Sequence, residues 1–354
     1  MIAMKKQFLF FILLSGFLLN AFAQEKSMNL ISFNRIVSLK GKPMNFKGRT
    51  ATNDNPETKL FFRHGKIVLK NKNEELKVFD VKSRKLVFKL GTWSLREQVD
   101  FYSPRLFAPI EDSLLCYIED GGIIYEVNRR GVVRKTGLRS YSYDFEFGGN
   151  LERIISDFVK MKGNSILFAG YSKRYGKNLF LTCNEGNKVE TKELDFPLNL
   201  DTKAMDSFVP YHGAFSVRPD RKRGVYAYYY YPVVRILDLE KGGMKTVRQE
   251  GKGFDFNTLE KADCGRYNAN YCLGCYAGEK YIYVLQAAGS LYDQLDKGSP
   301  VYVEQYDWEG NPIQKMKLDK AGHAFCVDEE HGRIYLAERF NAKTSQIFEY
   351  EYPL

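Results

Sequence analysis

One short pattern recurs six times along this chain and constrains its fold more than any other feature. An apolar strand follows a turn at 66–69, 113–117, 165–169, 224–228, 281–285 and 333–337. The spacing of roughly 50 residues suits a four-stranded propeller blade with generous loops. Each strand has an apolar partner further on, at 76–80, 123–128, 179–184, 233–238, 301–307 and 346–350. Most of these partners end in Asp or Asn: Asp80, Asn128, Asn184, Asp238 and Asp307. Both residue types tolerate the left-handed region and hydrogen-bond their own backbone, which is hairpin-turn chemistry.

A more polar strand follows each turn, at 85–90, 132–135, 188–194, 244–248 and 313–318. Alternating apolar and charged side chains suit a half-exposed outer strand. Inner strands are expected at 60–62, 104–107, 155–159, 213–217, 272–276 and 323–327, where small residues alternate with large ones, as crowding around a channel requires. The sixth repeat has no outer strand, because the sequence stops at Leu354. The alternating stretch 33–39 belongs to no repeat and is expected to fill that place. The reading is an all-β, six-bladed β-propeller in which an N-terminal strand completes the last blade. Segments 94–103, 199–211, 254–270 and 288–299 have weak strand character and read as insertions, where binding tends to reside.

The composition agrees. Aromatic residues reach 15%, with 24 Tyr and 26 Phe against 2 Trp, a bias toward strands. At 44% hydrophobic and 27% charged the chain can bury a large core. The start reads as a cleavable signal peptide over 1–23: Lys5 and Lys6, an apolar run over 8–19, then Ala21-Phe22-Ala23. The mature domain is then 24–354. No Cys follows the apolar run to take a lipid, and no later stretch is long enough to span a membrane. The expected location is the periplasm or the medium. The formal charge of +10 is scattered over turn positions such as 129–130, 173–174 and 218–223. Scattered charge of this kind reads as solvated turns, and no nucleic-acid partner is expected.

Few residues suggest chemistry. His212 and His323 begin two expected inner strands and could meet Asp157 and Arg105 at the channel mouth. Cys264, Cys272 and Cys275 lie close in sequence, so a disulfide among them is possible in an exported protein. Cys272 and Cys275 have redox and zinc spacing, but no second pair completes a zinc site. Cys116, Cys183 and Cys326 read as buried thiols, and His64 and His331, each before Gly, as turn residues. The run Tyr226-Ala227-Tyr228-Tyr229-Tyr230-Tyr231 reads first as inter-blade packing and second as an aromatic platform. No nucleophile elbow, Walker loop or His-Glu-x-x-His is present. One carboxylate, Asp157, is too little for calcium. Neither a metal nor a cofactor is expected.

The segment 306–312 (Tyr-Asp-Trp-Glu-Gly-Asn-Pro), with Leu318-Asp319, Phe325-Cys326-Val327-Asp328 and Ile334-Tyr335, resembles the TolB-like six-bladed propellers exported by Gram-negative bacteria. The resemblance implies a six-bladed propeller and a binding module, with no catalytic motif to carry over. The expectation is a monomeric, exported, non-catalytic binding or scaffold protein whose partner is an envelope protein or a glycan. The alternative is a metal-dependent propeller hydrolase of the lactonase kind.

Overall fold

A computed structural model describes residues 29–46, 59–70, 76–90, 106–110, 113–117, 123–128, 130, 132–139, 153–161, 165–172, 177–183, 189–194, 213–249, 272–287, 299–338 and 346–353. The elements among them are all strands. Three short ones come first: β1 (Asn29–Ile31), β2 (Ile36–Leu39) and β3 (Lys42–Met44). Six antiparallel sheets follow. Blade 1 is β4 (Lys59–Arg63), β5 (Lys66–Lys70), β6 (Leu76–Asp80) and β7 (Lys85–Leu90). Blade 2 is β8 (Leu106–Ile110), β9 (Ser113–Tyr117), β10 (Ile123–Asn128) and β11 (Val133–Arg139). Blade 3 is β12 (Arg153–Lys160), β13 (Ile166–Ser172), β14 (Lys177–Cys183) and β15 (Val189–Leu194). Blade 4 is β16 (Gly213–Val217), β17 (Arg223–Tyr228), β18 (Val233–Asp238) and β19 (Met244–Gln249). Blade 5 is β20 (Gly274–Ala277), β21 (Tyr281–Ala287), β22 (Val301–Asp307) and β23 (Pro312–Leu318). Blade 6 is β24 (Gly322–Asp328), β25 (Arg333–Glu338) and β26 (Ile347–Glu351), with β3 as its fourth strand.

The core lies between blades, because strand alternation gives each sheet two buried faces. In blade 4, Tyr226, Tyr228, Val233 and Leu237 pack toward Leu167 and Ala169 of blade 3. The intervening positions Val225, Ala227, Val234 and Ile236 pack toward Ile282 and Val284 of blade 5. Equivalent clusters join blades 5 and 6, 6 and 1, and 1 and 2. Inner strands β8 and β12 lie side by side, which links blades 2 and 3. The ring therefore closes around six blades.

The Asp and Asn residues at the ends of the third strands act as read from the sequence. Asp80 Oδ1 accepts the amide of Ser83 at 2.7 Å, and Asn128 Oδ1 those of Arg130 and Val132 at 2.9 and 3.0 Å. Asp238 and Asp307 cap their turns in the same way. Hydrogen bonds from the Ser83 side chain and amide hold the Asp80 carboxyl below the usual range, and those from the Lys241 and Glu240 amides do the same for Asp238. His64 and Gly65 both have positive φ, 46° and 69°, as a two-residue hairpin of the primed type needs. Gly310, at φ 79°, turns blade 5 against blade 4, where an added Cβ would stand 2.7 Å from Val247 Cγ2.

Closure differs in detail from the sequence reading. An N-terminal strand does complete the last blade, but it is β3, with Lys42 opposite Glu349 and Met44 opposite Ile347. The stretch 33–39, expected there, contains β2, which pairs in parallel with β23 at the rim of blade 5. β1 pairs in parallel with β19 at the rim of blade 4. Residues 29–44 thus run along the outer edges of three consecutive blades. Blade 5 captures 33–39 because it receives both the backbone and an aromatic. Lys315 donates its amide to Arg35 O at 2.9 Å, and Phe33 meets Tyr306 edge-on at 5.3 Å. Phe33 also covers Lys315, whose Nζ lies 2.9 Å from Glu304 Oε1 and 4.9 Å from the Tyr302 ring. The Glu304 side chain is 1% exposed, and its other oxygen accepts from Tyr306 at 2.7 Å. Pro43 has no N–H to donate, which an outer strand tolerates.

Met44 is buried between blades 6 and 1, whereas Ile36 on β2 is 65% exposed. Met44→Ala is expected to cost about 2–5 kcal/mol in urea unfolding. Ile36→Ala should stay within about 0.5 kcal/mol of the parent. Equal effects would contradict closure by β3.

Candidate functional site

Inner strands deliver side chains to the channel, and one ion pair crosses between strands of non-adjacent blades. Lys59, the first residue of β4 in blade 1, places Nζ 2.8 Å from Oδ2 of Asp157 on β12 in blade 3. Their side chains are 35% and 20% exposed, so the pair is reachable. Asp157 Oδ1 also accepts the amide of Phe158 at 3.1 Å. Just before Asp157 the register slips: Ile155 faces Gly170, but Asp157 faces Ala169. Ser156 is the extra residue, and a bulge of this kind re-aims the side chains beside it. Burial raises the Asp157 carboxyl above its ordinary range, while the charge and hydrogen bond of Lys59 oppose the rise.

Two further groups feel the Asp157 charge. Burial pushes the Cys275 thiol, on β20 of blade 5, well up; Cys272 and Asp157 add to the rise and Lys59 opposes it. Burial likewise raises the hydroxyl of Tyr229, where β17 turns toward β18, with Cys272, Asp157 and Cys275 contributing. Asp157 of blade 3, paired with Lys59 of blade 1, therefore acts electrostatically on Cys275 of blade 5 and Tyr229 of blade 4. Together these groups offer a cation, an anion and an aromatic ring with a neutral hydroxyl.

Of the residues singled out from sequence, Asp157 stands in this ion pair. His323 is on β24 of blade 6, 5% exposed and also at a bulge, between the pairs Gly322–Glu338 and Ala324–Ala337. Among the described residues no hydrogen bond or ion pair joins it to Asp157. Arg105 and His212 immediately precede β8 and β16 and lie outside the described residues, as does Cys264. Cys272 and Cys275 do not bridge each other. Both are free thiols, with Sγ 3.4 Å from Gly274 O and 3.8 Å from Val225 O. Burial keeps both protonated, which makes them poor nucleophiles. Among the described residues no three of His, Cys, Asp and Glu gather as metal ligands would. In the tyrosine run, Tyr226, Tyr228 and Tyr231 are buried toward blade 3, and Tyr229 and Tyr230 are half-buried.

Sequence reading missed Lys59. The signal was present, since Lys59 opens an inner strand at the place where Arg105 and His212 flank theirs. The Lys59–Asp157 pair implies a definite pH response. The carboxyl titrates above its unfolded value of 3.8, so the native state binds the proton more tightly. Stability therefore falls as pH rises from 3.8 through the folded value. Lys59→Met removes the opposing charge and widens that window. The expected cost at pH 7 is about 1–3 kcal/mol, fading toward pH 4 and abolished by adding Asp157→Asn. Urea unfolding at several pH values reads it; a K59M curve parallel to that of the parent would rule the coupling out.

Known proteins share the architecture. At 8% sequence identity, a luciferin-regenerating enzyme superposes with a TM-score of 0.51, covering 89% of this chain and 95% of its own. The β-propeller domain of Cps50 (Swd1) from Myceliophteria thermophila gives a TM-score of 0.42 at 8% identity, covering 88% and 100%. The first likeness concerns fold alone, and the second carries no weight. No curated protein matches the chain. Residues 171–330, from β13 in blade 3 to the turn after β24 in blade 6, match the family model described as TolB-like 6-blade propeller-like.

Proposed function

We propose that this chain is an exported, non-catalytic binding propeller that holds a neutral glycan against the Lys59–Asp157 pair, with Tyr229 as the aromatic element. The observation that supports this most is the accessible cross-blade ion pair itself. A lysine and an aspartate 2.8 Å apart present a donor and an acceptor side by side, as the adjacent hydroxyls of a sugar require. The pair has no net charge, so it favours a polyhydroxylated ligand over an ionic one. An aromatic with a polar tip suits a surface that is apolar on one side and wet on the other. Export rests on the leader read over 1–23, with the periplasm or the medium as destination. Among the described residues no helix is long and apolar enough to cross a membrane.

The test is a glycan array followed by calorimetry. Lys59→Met and Asp157→Asn should each weaken a neutral glycan hit at least tenfold, while Ile36→Ala leaves it unchanged. Turnover of lactone or ester substrates that a chelator abolishes would replace this reading with the hydrolase alternative. Selective capture of envelope proteins with no glycan hit would replace it with a scaffold.

A further inference from the structure

Arg235 is an arginine buried between two blades. It sits in the middle of β18 and is 4% exposed. Strand parity sends it toward blade 3, along with Val233 and Leu237. Its cross-strand neighbours on that face are Tyr226 on β17 and Thr246 on β19. Its guanidinium carbon lies 5.7 Å from the centre of the Tyr228 ring. Among the described residues neither Nε nor Nη1 has a hydrogen-bond partner, and no carboxylate pairs with the charge. The described blade 3 residues packed against this face, Leu167, Ala169, Val159 and Met161, have apolar side chains.

A buried guanidinium with two of its three nitrogens lacking an acceptor is costly, and an unexplained buried polar group calls for a bound ion or water. The surroundings select the ion. Arg235 is a permanent cation and a donor only. Burial raises the Tyr228 hydroxyl, which stays protonated despite the guanidinium. Tyr226, Tyr228 and Tyr231 form a continuous aromatic chain, with ring centres 5.1 and 6.2 Å apart. Permanent charge, neutral phenols and the Thr246 hydroxyl favour an acceptor carrying negative charge. A planar guanidinium matches oxyanions in particular.

We propose that Arg235, between blades 3 and 4, binds a small oxyanion of the carboxylate, phosphate or sulfate type. This site is separate from the Lys59–Asp157 pair. It serves as a buried anion clamp on the face of blade 4 that meets blade 3, and so couples the propeller's stability to oxyanion concentration.

The test uses the mature protein in Tris chloride, to which phosphate, sulfate or acetate is added at constant ionic strength. The parent should show a saturable rise in Tm, roughly 5 °C at an oxyanion concentration about one hundred times Kd. Arg235→Met should fold, be at least as stable as the parent in Tris chloride, and lose the oxyanion response entirely. Lys59→Met should keep the response, which separates this site from the glycan site. A rise that preferentially follows one oxyanion identifies the headgroup chemistry. A parent indifferent to oxyanions, or a chloride series giving the same rise, overturns the proposal. So does an R235M protein that responds like the parent. An R235M protein that fails to fold in Tris chloride also overturns it, because the guanidinium would then be satisfied within the chain.

Discussion

The ring depends on one antiparallel contact, the pairing of Lys42–Met44 with the last strand of the chain. Without it blade 6 has three strands, and Met44 leaves the cluster that joins blades 6 and 1. The contact is short, and its neighbours reinforce it. Gly41 donates its amide to Asp319 at 3.0 Å, and Leu39 joins the core between blades 5 and 6. Upstream, β2 and β1 extend the same run over blades 5 and 4. A single N-terminal segment therefore closes the ring and covers the outer edges of two further sheets, edges that would otherwise be open to intermolecular pairing.

Polar groups inside this ring fall into two kinds. The first is joined into hydrogen-bonded networks between strands. Between blades 5 and 6, Glu329 accepts the amides of Lys280 and Tyr281, and Tyr283 bonds Tyr352 and Gln305. Gln314 continues that chain to Gln305 and to the carbonyl of Pro353, which fastens the C-terminal residues. Lys315 and Glu304 form a second closed set with Tyr306 and Gln286. These networks fix the register of the blades. The second kind stands apart from these networks: the half-buried Lys59–Asp157 pair and the guanidinium of Arg235, whose Nε and Nη1 have no hydrogen-bond partner among the described residues.

Much of the fold was legible in the sequence, because each blade repeats one hydrophobic rhythm and one turn chemistry. The strands at 76–80, 123–128, 233–238 and 301–307 fall where the pattern places them. Closure was legible only in outline. Lys42-Pro43-Met44 is too short, and too proline-marked, to look like a strand, whereas 33–39 alternates well and still pairs elsewhere. The inner strand of blade 2 begins at Leu106, later than the pattern suggests, and includes Pro109. The candidate site was legible in Asp157 but not in Lys59, since their meeting depends on ring curvature and on a bulge at Ser156. Arg235 shows in sequence only as a charge inside Val233-Val234-Arg235-Ile236-Leu237. Its burial follows from having a blade on either side.

The N-terminal run along the rim also has a kinetic consequence. The first residues of the fold to be synthesised find their partners among the last. Gly41 waits for Asp319, and Lys42 for Glu351, across separations of 278 and 309 residues. No local hairpin can substitute for these contacts, so loop closure must be met before the final blade gains anything from forming. Until β23 and β26 are made, β2 and β3 have no strand to pair with. Unpaired strand edges invite aggregation, so this fold is most vulnerable just before its sixth blade forms, and the last step in building the ring is to fasten its own beginning.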